Sequence, residues 1–285
     1  VGSFHAETFE DLFQGTRAIP WEEYLPKDAK FWVAKASSIK SKLFSPSDIQ
    51  SIMKKAMVER MKKAYGIEWF PENGASFPLR VFLHKDTVTV ALDTTGESLH
   101  KRGYRTLTSK APITETLAAA LIMLTPWKSD RILVDPFCGS GTFPIEAAMI
   151  ALNRAPGLNR SFMAQKWACV PETVWQQART EALDREYRGE YHILGSDIDP
   201  ASLEIAQQNA RKAGVGRLIE FREADATKLS LPADRGLIVC NPPYGERMLE
   251  QRSAQRLYSA FGRHLKYADG WKKYIISSEP EFEHY

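Results

Sequence analysis

The chain has little of what a metal site, a disulfide framework or a membrane anchor requires. Its 285 residues include three cysteines and six histidines, and neither set follows a metal-ligand spacing. It has no apolar run of about 20 residues, the length of a membrane-spanning helix, and no leader-like segment. These absences predict that the protein has no metal and no membrane partner. Together with the low cysteine content they favour the cytoplasm.

Charge is unevenly distributed along the chain, although the formal net charge is only +3. Residues 1–26 contain five acids and one base, whereas residues 27–63 contain ten bases and three acids. A local excess of seven positive charges is typical of a surface that follows nucleic-acid phosphates. The alternative is an ordinary solvated helix face. The candidate phosphate contacts are Lys40, Lys42, Lys54, Lys55, Arg60, Lys62 and Lys63.

The N-terminal third predicts a small α+β unit that ends near residue 93. Phe31–Lys35 is typical of a short strand, and Asp48–Ala64 has helical period after the candidate cap Ser47. Leu79–His84 and Thr87–Leu92 alternate apolar and polar residues around a two-residue turn, which indicates a hairpin.

From residue 112 onward, strand and helix signals alternate. The predicted strands are Arg131–Asp135, His192–Asp197, Leu218–Arg222, Gly236–Cys240 and Lys273–Ser277. The predicted helices are Pro112–Leu124, Thr142–Leu152, Pro200–Ala213 and Ala254–Lys266. Strands separated by helices imply right-handed crossovers and a mainly parallel, doubly wound α/β sheet of Rossmann-like type. Ligands of such sheets bind at the carboxyl ends of the strands.

The first strand of this sheet leads into a turn that contains Gly139 and Gly141. Glycine lets the backbone turn sharply and approach a ligand closely. A nicotinamide-binding turn would require a third glycine at a position that Pro144 occupies here. The turn therefore indicates a nucleoside cofactor of another kind.

Acidic residues follow three consecutive strands of the predicted sheet, as Asp135, Asp197 and Asp225. Asp197 can accept hydrogen bonds from two ribose hydroxyls, and Asp225 can accept one from an adenine amino group. Asp199 suits a helix cap before Pro200. The residues that we predict to bind the cofactor are Asp135, Phe137, Cys138, Gly139, Gly141, Thr142, Asp197, Ile198, Asp225, Ala226 and Asn241.

The fourth strand is followed by Asn241, Pro242, Pro243 and Tyr244, the four predicted catalytic residues. The prolines fix the backbone and remove amide donors, so this segment offers acceptors, including the Asn241 side-chain oxygen. Acceptors on both N–H bonds of an exocyclic amine turn the nitrogen lone pair toward an incoming methyl group, and Tyr244 can stack on the base. The alternative is a merely rigid Pro-Pro turn. After the cofactor turn, the motif predicts methyl transfer from S-adenosylmethionine to an exocyclic base nitrogen.

These residues belong to a wider pattern. The chain resembles the THUMP-containing RNA guanine-N2 methyltransferases, in particular the bacterial type that acts on large-subunit ribosomal RNA. The matching stretches are His100–Arg105, Ala111–Ile113, Glu115–Ala118, Asp135–Thr142, Asn153–Phe162, Gly195–Pro200 and Asn241–Gly245. The resemblance implies a class I methyltransferase domain preceded by a small α+β THUMP domain.

The resemblance also implies a domain division. We expect residues 1–26 to be the remnant of a ferredoxin-like lead-in, residues 27–93 a THUMP RNA-binding domain and residues 94–111 a linker. Residues 112–285 would be the methyltransferase domain, with the family's final antiparallel strand missing.

The implied activity is S-adenosylmethionine-dependent methylation of the N2 amine of a guanosine in structured RNA, specifically 23S rRNA. Four arginines of the matching stretches are then further predicted RNA contacts: Arg102, Arg105, Arg154 and Arg160. Two alternatives stay open. One is an adenine-N6 methyltransferase of DNA or RNA with the same motif order. The other is an RNA-binding protein with a catalytically silent fold.

Overall fold

The computed structural model describes residues 1–105, 112–243 and 248–285, with side chains in the last range from residue 252 onward. Over these residues, no helix combines the length and the apolar character needed to cross a bilayer. The same residues contain no group of three or more His, Cys, Asp or Glu side chains that could hold a metal ion.

The chain folds as two compact units, and each is built from two separate stretches of sequence. The first unit contains Val1–Ser98 and Ser161–Trp175. The second contains Leu99–Arg160 and Gln176–Tyr285. Residues 161–175 therefore fold with the N-terminal part of the chain rather than with the residues that flank them.

The first unit is a four-stranded sheet with two helices. Its strands are β1 (Gly2–His5), β2 (Lys30–Ile39), β3 (Ser76–His84) and β4 (Thr87–Leu92), and its helices are α1 (Phe9–Ala18) and α2 (Pro46–Tyr65). The strand order is β1-β4-β3-β2, in which only β2 and β3 are parallel. Lys85 and Asp86 join β3 to β4 with φ values of 50° and 60°, so the predicted hairpin is confirmed as a tight turn of left-handed residues.

The segment 161–175 contributes aromatic side chains to this unit. The Trp167 ring stacks on Phe77 with centroids 4.6 Å apart, and its indole N–H donates to the carbonyl of Ser76 at 2.9 Å. Both rings are buried in the same core as Phe31 and Leu79. The segment thus completes the core of the first unit.

Two local predictions in this unit need correction. Helix α2 begins at Pro46 after Ser45, so Ser47 is not its cap; proline suits the first helical position because no N–H is required there. Strand β1 and helix α1 were not predicted. A sequence signal for α1 was available, since Thr8 and Asp11 form a capping box at its start.

The second unit is a five-stranded parallel sheet with helices on both faces. Its strands are β5 (Leu133–Asp135), β6 (Ile193–Asp197), β7 (Ile219–Glu223), β8 (Gly236–Cys240) and β9 (Trp271–Ile275). Its helices are α3 (Glu115–Leu124), α4 (Thr142–Leu152), α5 (Glu172–Asp184, which starts in the first unit), α6 (Pro200–Ala213) and α7 (Met248–Leu265). The order β7-β6-β5-β8-β9, with every pair parallel, confirms the doubly wound prediction.

Some boundaries in this unit differ from the predicted ones. Helix α3 begins at Glu115 after the cap position Thr114, so Pro112 lies before the helix rather than in its first turn. Helix α7 begins at Met248, six residues before the predicted start. The pattern of residues 172–184 was too polar to predict helix α5, which has no fully buried side chain.

Candidate cofactor and substrate site

A cavity of about 990 Å³ opens at the carboxyl ends of the parallel strands. This is the edge at which a doubly wound sheet binds ligands. Ten of the predicted cofactor residues line it: Asp135, Phe137, Cys138, Gly139, Thr142, Asp197, Ile198, Asp225, Ala226 and Asn241. Pro242 and Pro243 also line it, and Tyr244 lies outside the described residues. The structure therefore brings the cofactor motif and the described part of the catalytic motif into one cavity.

The glycine turn between β5 and α4 depends on two left-handed residues. Gly139 has φ 50° and Gly141 has φ 85°, a region that favours glycine. The Gly141 N–H donates to the Cys138 carbonyl at 2.8 Å, and a Cβ on Gly141 would lie 3.0 Å from that of Ala206 in α6. Gly141 does not line the cavity; it shapes the turn and lets α4 approach α6.

Asp197 fastens this turn to strand β6. Its Oδ2 accepts from the Gly139 N–H at 2.9 Å, and its Oδ1 accepts from the Asp199 N–H at 3.0 Å. Each carboxylate oxygen has a second lone pair, so the half-buried group can still accept hydrogen bonds from a ligand. Asp197 therefore holds the turn as well as facing the cavity.

Asp199 is the cap of helix α6, as predicted. Its side chain accepts from the Ala201 N–H at 3.1 Å and from the Ser202 hydroxyl at 2.8 Å. These two bonds hold the pKa of Asp199 below its usual value, and the bond from the Ser202 hydroxyl has the larger effect. The cap thus accounts for both carboxylate oxygens of Asp199 within its own helix.

Asp135 is the most buried acid of the cavity, with 1% of its surface exposed. Burial raises the pKa of Asp135 well above the usual value, and the negative charge of Asp197 raises it further. A hydrogen bond from the Phe137 N–H acts in the opposite direction. Burial likewise raises the pKa of the Cys138 and Cys240 thiols. The thiols therefore stay protonated at neutral pH, and burial opposes the ionisation of Asp135.

Asp225 lies where the third strand of the predicted order ends. Its Oδ1 accepts from the Thr227 hydroxyl at 2.7 Å and from the Thr227 N–H at 2.9 Å. These bonds lower the pKa of Asp225, so the group is a carboxylate. Oδ2 lies 3.9 Å from the Lys228 ammonium group, and Asp225 lines the cavity as an acceptor.

The catalytic motif is held by helix α7. Pro242 is buried, Asn241 is half-buried and Pro243 is exposed. The Tyr258 hydroxyl of α7 donates to the Pro243 carbonyl at 2.8 Å. That carbonyl therefore already has a donor from the protein, a detail that the sequence pattern did not reveal.

Two of the predicted RNA-binding arginines are instead buried behind the cofactor turn. Arg102 has 13% of its side chain exposed and pairs with Glu146 at 3.4 Å; Tyr104 donates to the same carboxylate at 3.0 Å. Arg105 has 12% exposed, pairs with Glu115 at 3.7 Å and donates to the Thr142 hydroxyl at 2.7 Å. This corrects their predicted role, because these guanidinium groups neutralise buried acids of α3 and α4.

The other two arginines need the same correction. Arg154 pairs with Glu186 at 2.5 Å, with 15% of its side chain exposed. Arg160 is buried and donates to the carbonyl of Lys101 at 3.0 Å. Both side chains hold neighbouring segments of the second unit together and offer little surface to a polyanion.

The basic segment of the first unit is largely neutralised by nearby acids. Four of its seven candidate residues form ion pairs, which are Lys42 with Glu7, Lys54 with Glu72, Arg60 with Glu22 and Lys62 with Glu68. Two of these acids come from residues 1–26, so the opposite charges of the two segments hold them together. Lys40, Lys55 and Lys63 are exposed and have no acidic partner in the described part of the chain.

The second unit is a doubly wound parallel sheet with a glycine turn after β5, acids at the ends of β5 and β6, and Asn-Pro-Pro after β8. These features together define a class I methyltransferase. The family described as "RMKL-like, methyltransferase domain" matches residues 102–285, and the THUMP domain family matches residues 6–93. The chain belongs to this family of RMKL-like methyltransferases and carries an N-terminal THUMP domain. The predicted fold class and family are confirmed; the THUMP match begins at residue 6, where the sequence suggested residue 27.

Several relatives are similar over the whole chain. "Putative RNA methyltransferase YpsC" of Bacillus subtilis (strain 168) is 43% identical over 99% of this chain and 74% of its own length. A crystal structure of "a predicted N6-adenine-specific DNA methylase" from Listeria monocytogenes str. 4b F2365 is 47% identical, with a TM-score of 0.95 over all of this chain and 75% of its own. SMU.472, "a putative methyltransferase complexed with SAH", is 42% identical, with a TM-score of 0.90 over all of this chain and 76% of its own.

Proposed function

We propose that the protein methylates the exocyclic N2 amine of a guanosine in structured RNA, and that this RNA is 23S rRNA. The protein is an S-adenosylmethionine-dependent RNA methyltransferase, as predicted. The observation that carries methyl transfer to an exocyclic amine is that Asn241, Pro242 and Pro243 form a wall of the cavity that Asp135 and Asp197 also line. The choice of guanine N2 in 23S rRNA rests on the resemblance of the motif stretches to the guanine-N2 methyltransferases. The proposed substrate is RNA in the cytoplasm, the compartment in which cysteine thiols stay reduced.

The residues of the cavity fit S-adenosylmethionine. A volume of about 990 Å³ lies at the upper end of small-molecule sites. The donor set also fits, because Asp197 offers acceptors for ribose hydroxyls and Asp225 offers one for an adenine amine. Asp135 would face the positive charge, which would favour the ionised form that burial now opposes. S-adenosylmethionine supplies an electrophilic methyl group on a sulfonium.

The catalytic motif acts by holding the amine. The Asn241 side-chain oxygen and the Pro242 carbonyl would accept its two N–H bonds, because Tyr258 already donates to the Pro243 carbonyl. Both acceptors direct the nitrogen lone pair into the cavity, and alignment provides much of the rate. No strong base is needed, since the nitrogen carries a positive charge once it has taken the methyl group from sulfur, and it then releases its proton to water. Tyr244 would stack on the extruded base.

The contacts with RNA outside the site are also proposals. Among the basic residues of the first unit, Lys40, Lys55 and Lys63 are exposed and have no acidic partner in the described ranges. We expect these three to contribute phosphate contacts, with residues 27–93 as the RNA-binding part and residues 94–111 as a linker. The ion-paired bases of the same segment would contribute less, because each must first lose its own acid.

An adenine-N6 activity is the second candidate, favoured by the description of the Listeria monocytogenes relative as a predicted N6-adenine-specific DNA methylase. The same acceptors suit either amine, since adenine N6 and guanine N2 are both exocyclic. The test is to incubate the protein with labelled S-adenosylmethionine and either total RNA or total DNA from a strain that lacks the gene. Labelled N2-methylguanosine in 23S rRNA is expected. Labelled N6-methyladenine in either nucleic acid would replace the proposal with the alternative.

The control for this assay is Asn241→Ala. This variant should lose at least about two orders of magnitude in turnover, because the contact matters when the nitrogen attacks. Its affinity for S-adenosylhomocysteine should fall far less than its turnover. Near-normal turnover in Asn241→Ala would contradict the proposed mechanism for either base.

A further inference from the structure

Helix α7 carries a row of arginines along one side. Residues 252, 256, 259 and 263 recur at helical spacing, within about 60° around the helix axis. They are Arg252, Arg256, Ser259 and Arg263, and the three arginines are exposed. The row spans about 16 Å along the helix at 1.5 Å per residue. We define these four residues as the arginine row.

The arginine row borders a second cavity of the second unit. This cavity measures about 580 Å³ and is lined by Arg252, Gln255, Arg256, Ser259, Arg263 and Tyr285. It therefore has three guanidinium groups and no acidic lining residue. Glu279 accepts a hydrogen bond from the Gln255 amide at 3.5 Å.

Three of the other arginines of this unit differ from those of the row. Arg102, Arg105 and Arg154 all have acidic partners and are largely buried. Among the residues that the structure describes, none of the arginines of the row has an ion pair. Like charges one turn apart on a helix repel each other weakly, and a bound anion would relieve that repulsion.

Helix α7 connects this surface to the catalytic motif. Leu257, adjacent to Arg256 in sequence, lines the cofactor cavity, and Tyr258 donates to the Pro243 carbonyl. The arginine row therefore lies on the helix that fixes the motif. A strand whose phosphates bind the row is held by the same rigid element that positions the target amine.

We propose that the arginine row binds phosphates of the RNA strand that carries the target nucleotide. Planar guanidinium groups bind phosphate oxygens in a bidentate way, and Ser259 and Gln255 offer further donors of the kind that position a nucleic-acid backbone. This inference rests on the proposed function, since it takes RNA as the substrate. It assigns to the second unit a phosphate-binding surface that the buried arginines do not supply.

The test is the variant Arg252→Gln/Arg256→Gln/Arg263→Gln, which keeps side-chain length and removes three charges. Binding of a short fluorescent hairpin RNA is measured by anisotropy over a range of salt concentrations. Each lost phosphate contact reduces the slope of log affinity against log salt by about 0.7 units on single-stranded segments, so about two units are expected. The ratio of wild-type to variant affinity should therefore shrink about fifteenfold between about 50 and about 200 mM salt.

The matched control is Arg188→Gln/Arg211→Gln/Arg217→Gln, which removes three exposed charges elsewhere in the second unit. It should leave the slope nearly unchanged, and both variants should bind S-adenosylhomocysteine and melt like the wild type. Equal slopes in the wild type and the row variant would overturn the proposal. So would an equal change in both variants, or a change seen with duplex DNA but not with RNA. The labelled-nucleoside assay tests the proposed function separately, because it needs only the wild-type protein.

Discussion

Asp197 offers the sharpest test of the cofactor site, because the structure gives it two tasks. Its two carboxylate oxygens accept the Gly139 and Asp199 N–H groups at 2.9 and 3.0 Å, and its remaining lone pairs face the cavity. Asp197→Ala should therefore weaken both the fold and the cofactor complex. A change in stability alone, or in cofactor affinity alone, would show that Asp197 has only one of these two roles.

The magnitudes follow from the hydrogen bonds that are lost. A hydrogen bond to a charged group contributes about 1.5–3 kcal/mol. The lost ribose contact should then raise the Kd for S-adenosylhomocysteine about 10- to 150-fold. Gly139 is half-buried and Asp199 is exposed, so water can replace part of the hydrogen bonding that their N–H groups lose. The free energy of unfolding of the protein without cofactor should therefore fall by about 1–3 kcal/mol.

The assays are isothermal calorimetry with S-adenosylhomocysteine and denaturant unfolding without it. Asp199→Ala is the matched control, since it removes the same side chain two positions later. It should cost about 1 kcal/mol of stability as a lost helix cap and leave the Kd unchanged. An unchanged Kd in Asp197→Ala, or a rise in Asp199→Ala alone, would refute the assignment of the ribose contact to Asp197.

Two further predictions concern the same cavity. The raised pKa of Asp135 means that its stabilising effect is full below the ordinary aspartate pKa and is lost as pH rises toward the raised value. Asp135→Asn should remove this pH dependence from thermal melts of the cofactor-free protein, and it should weaken cofactor binding. An unaltered pH dependence of the melting temperature would contradict the burial argument. Tyr258→Phe removes the 2.8 Å bond to the Pro243 carbonyl, so turnover on RNA should fall about 2- to 12-fold. Calorimetry should detect no change in cofactor affinity; a change there, with normal turnover, would assign Tyr258 a different role.

The sheet and its acids were predictable because they depend on local pattern and on a strict topological rule. Strands separated by helices specify a parallel sheet, and parallel strands bring their carboxyl ends to one edge. Asp135 and Asp197 therefore meet in one cavity although 62 positions separate them in the sequence. The glycine turn was predictable for a similar reason, since only glycine readily adopts its left-handed angles.

The burial of the arginines was not predictable from their own neighbourhood in the sequence. Arg102 lies in a polar, glycine-containing stretch, and its partner Glu146 is 44 positions away. A signal was nevertheless present on the acid, because Glu146 interrupts an otherwise apolar helix. A buried carboxylate requires a cation, so a glutamate at position 146 predicts that an arginine or lysine is buried with it.

The ion pairing of the basic segment was not predictable either. Its excess charge is a property of the sequence, but ion pairing is a property of the tertiary structure. Residues 1–26 supply Glu7 and Glu22 to Lys42 and Arg60, and no local pattern specifies those pairs. The sequence did not predict the arginine row of α7, because its three arginines are spread over twelve positions.

The insertion of residues 161–175 into the first unit makes both units discontinuous along the chain. The polypeptide passes between the units three times, after Ser98, after Arg160 and after Trp175. During synthesis, the first unit cannot complete its core until Trp167 has left the ribosome and reached Phe77. No single cut in the chain yields an intact RNA-binding module, so a truncation after residue 98 would leave Phe77 without its stacking partner.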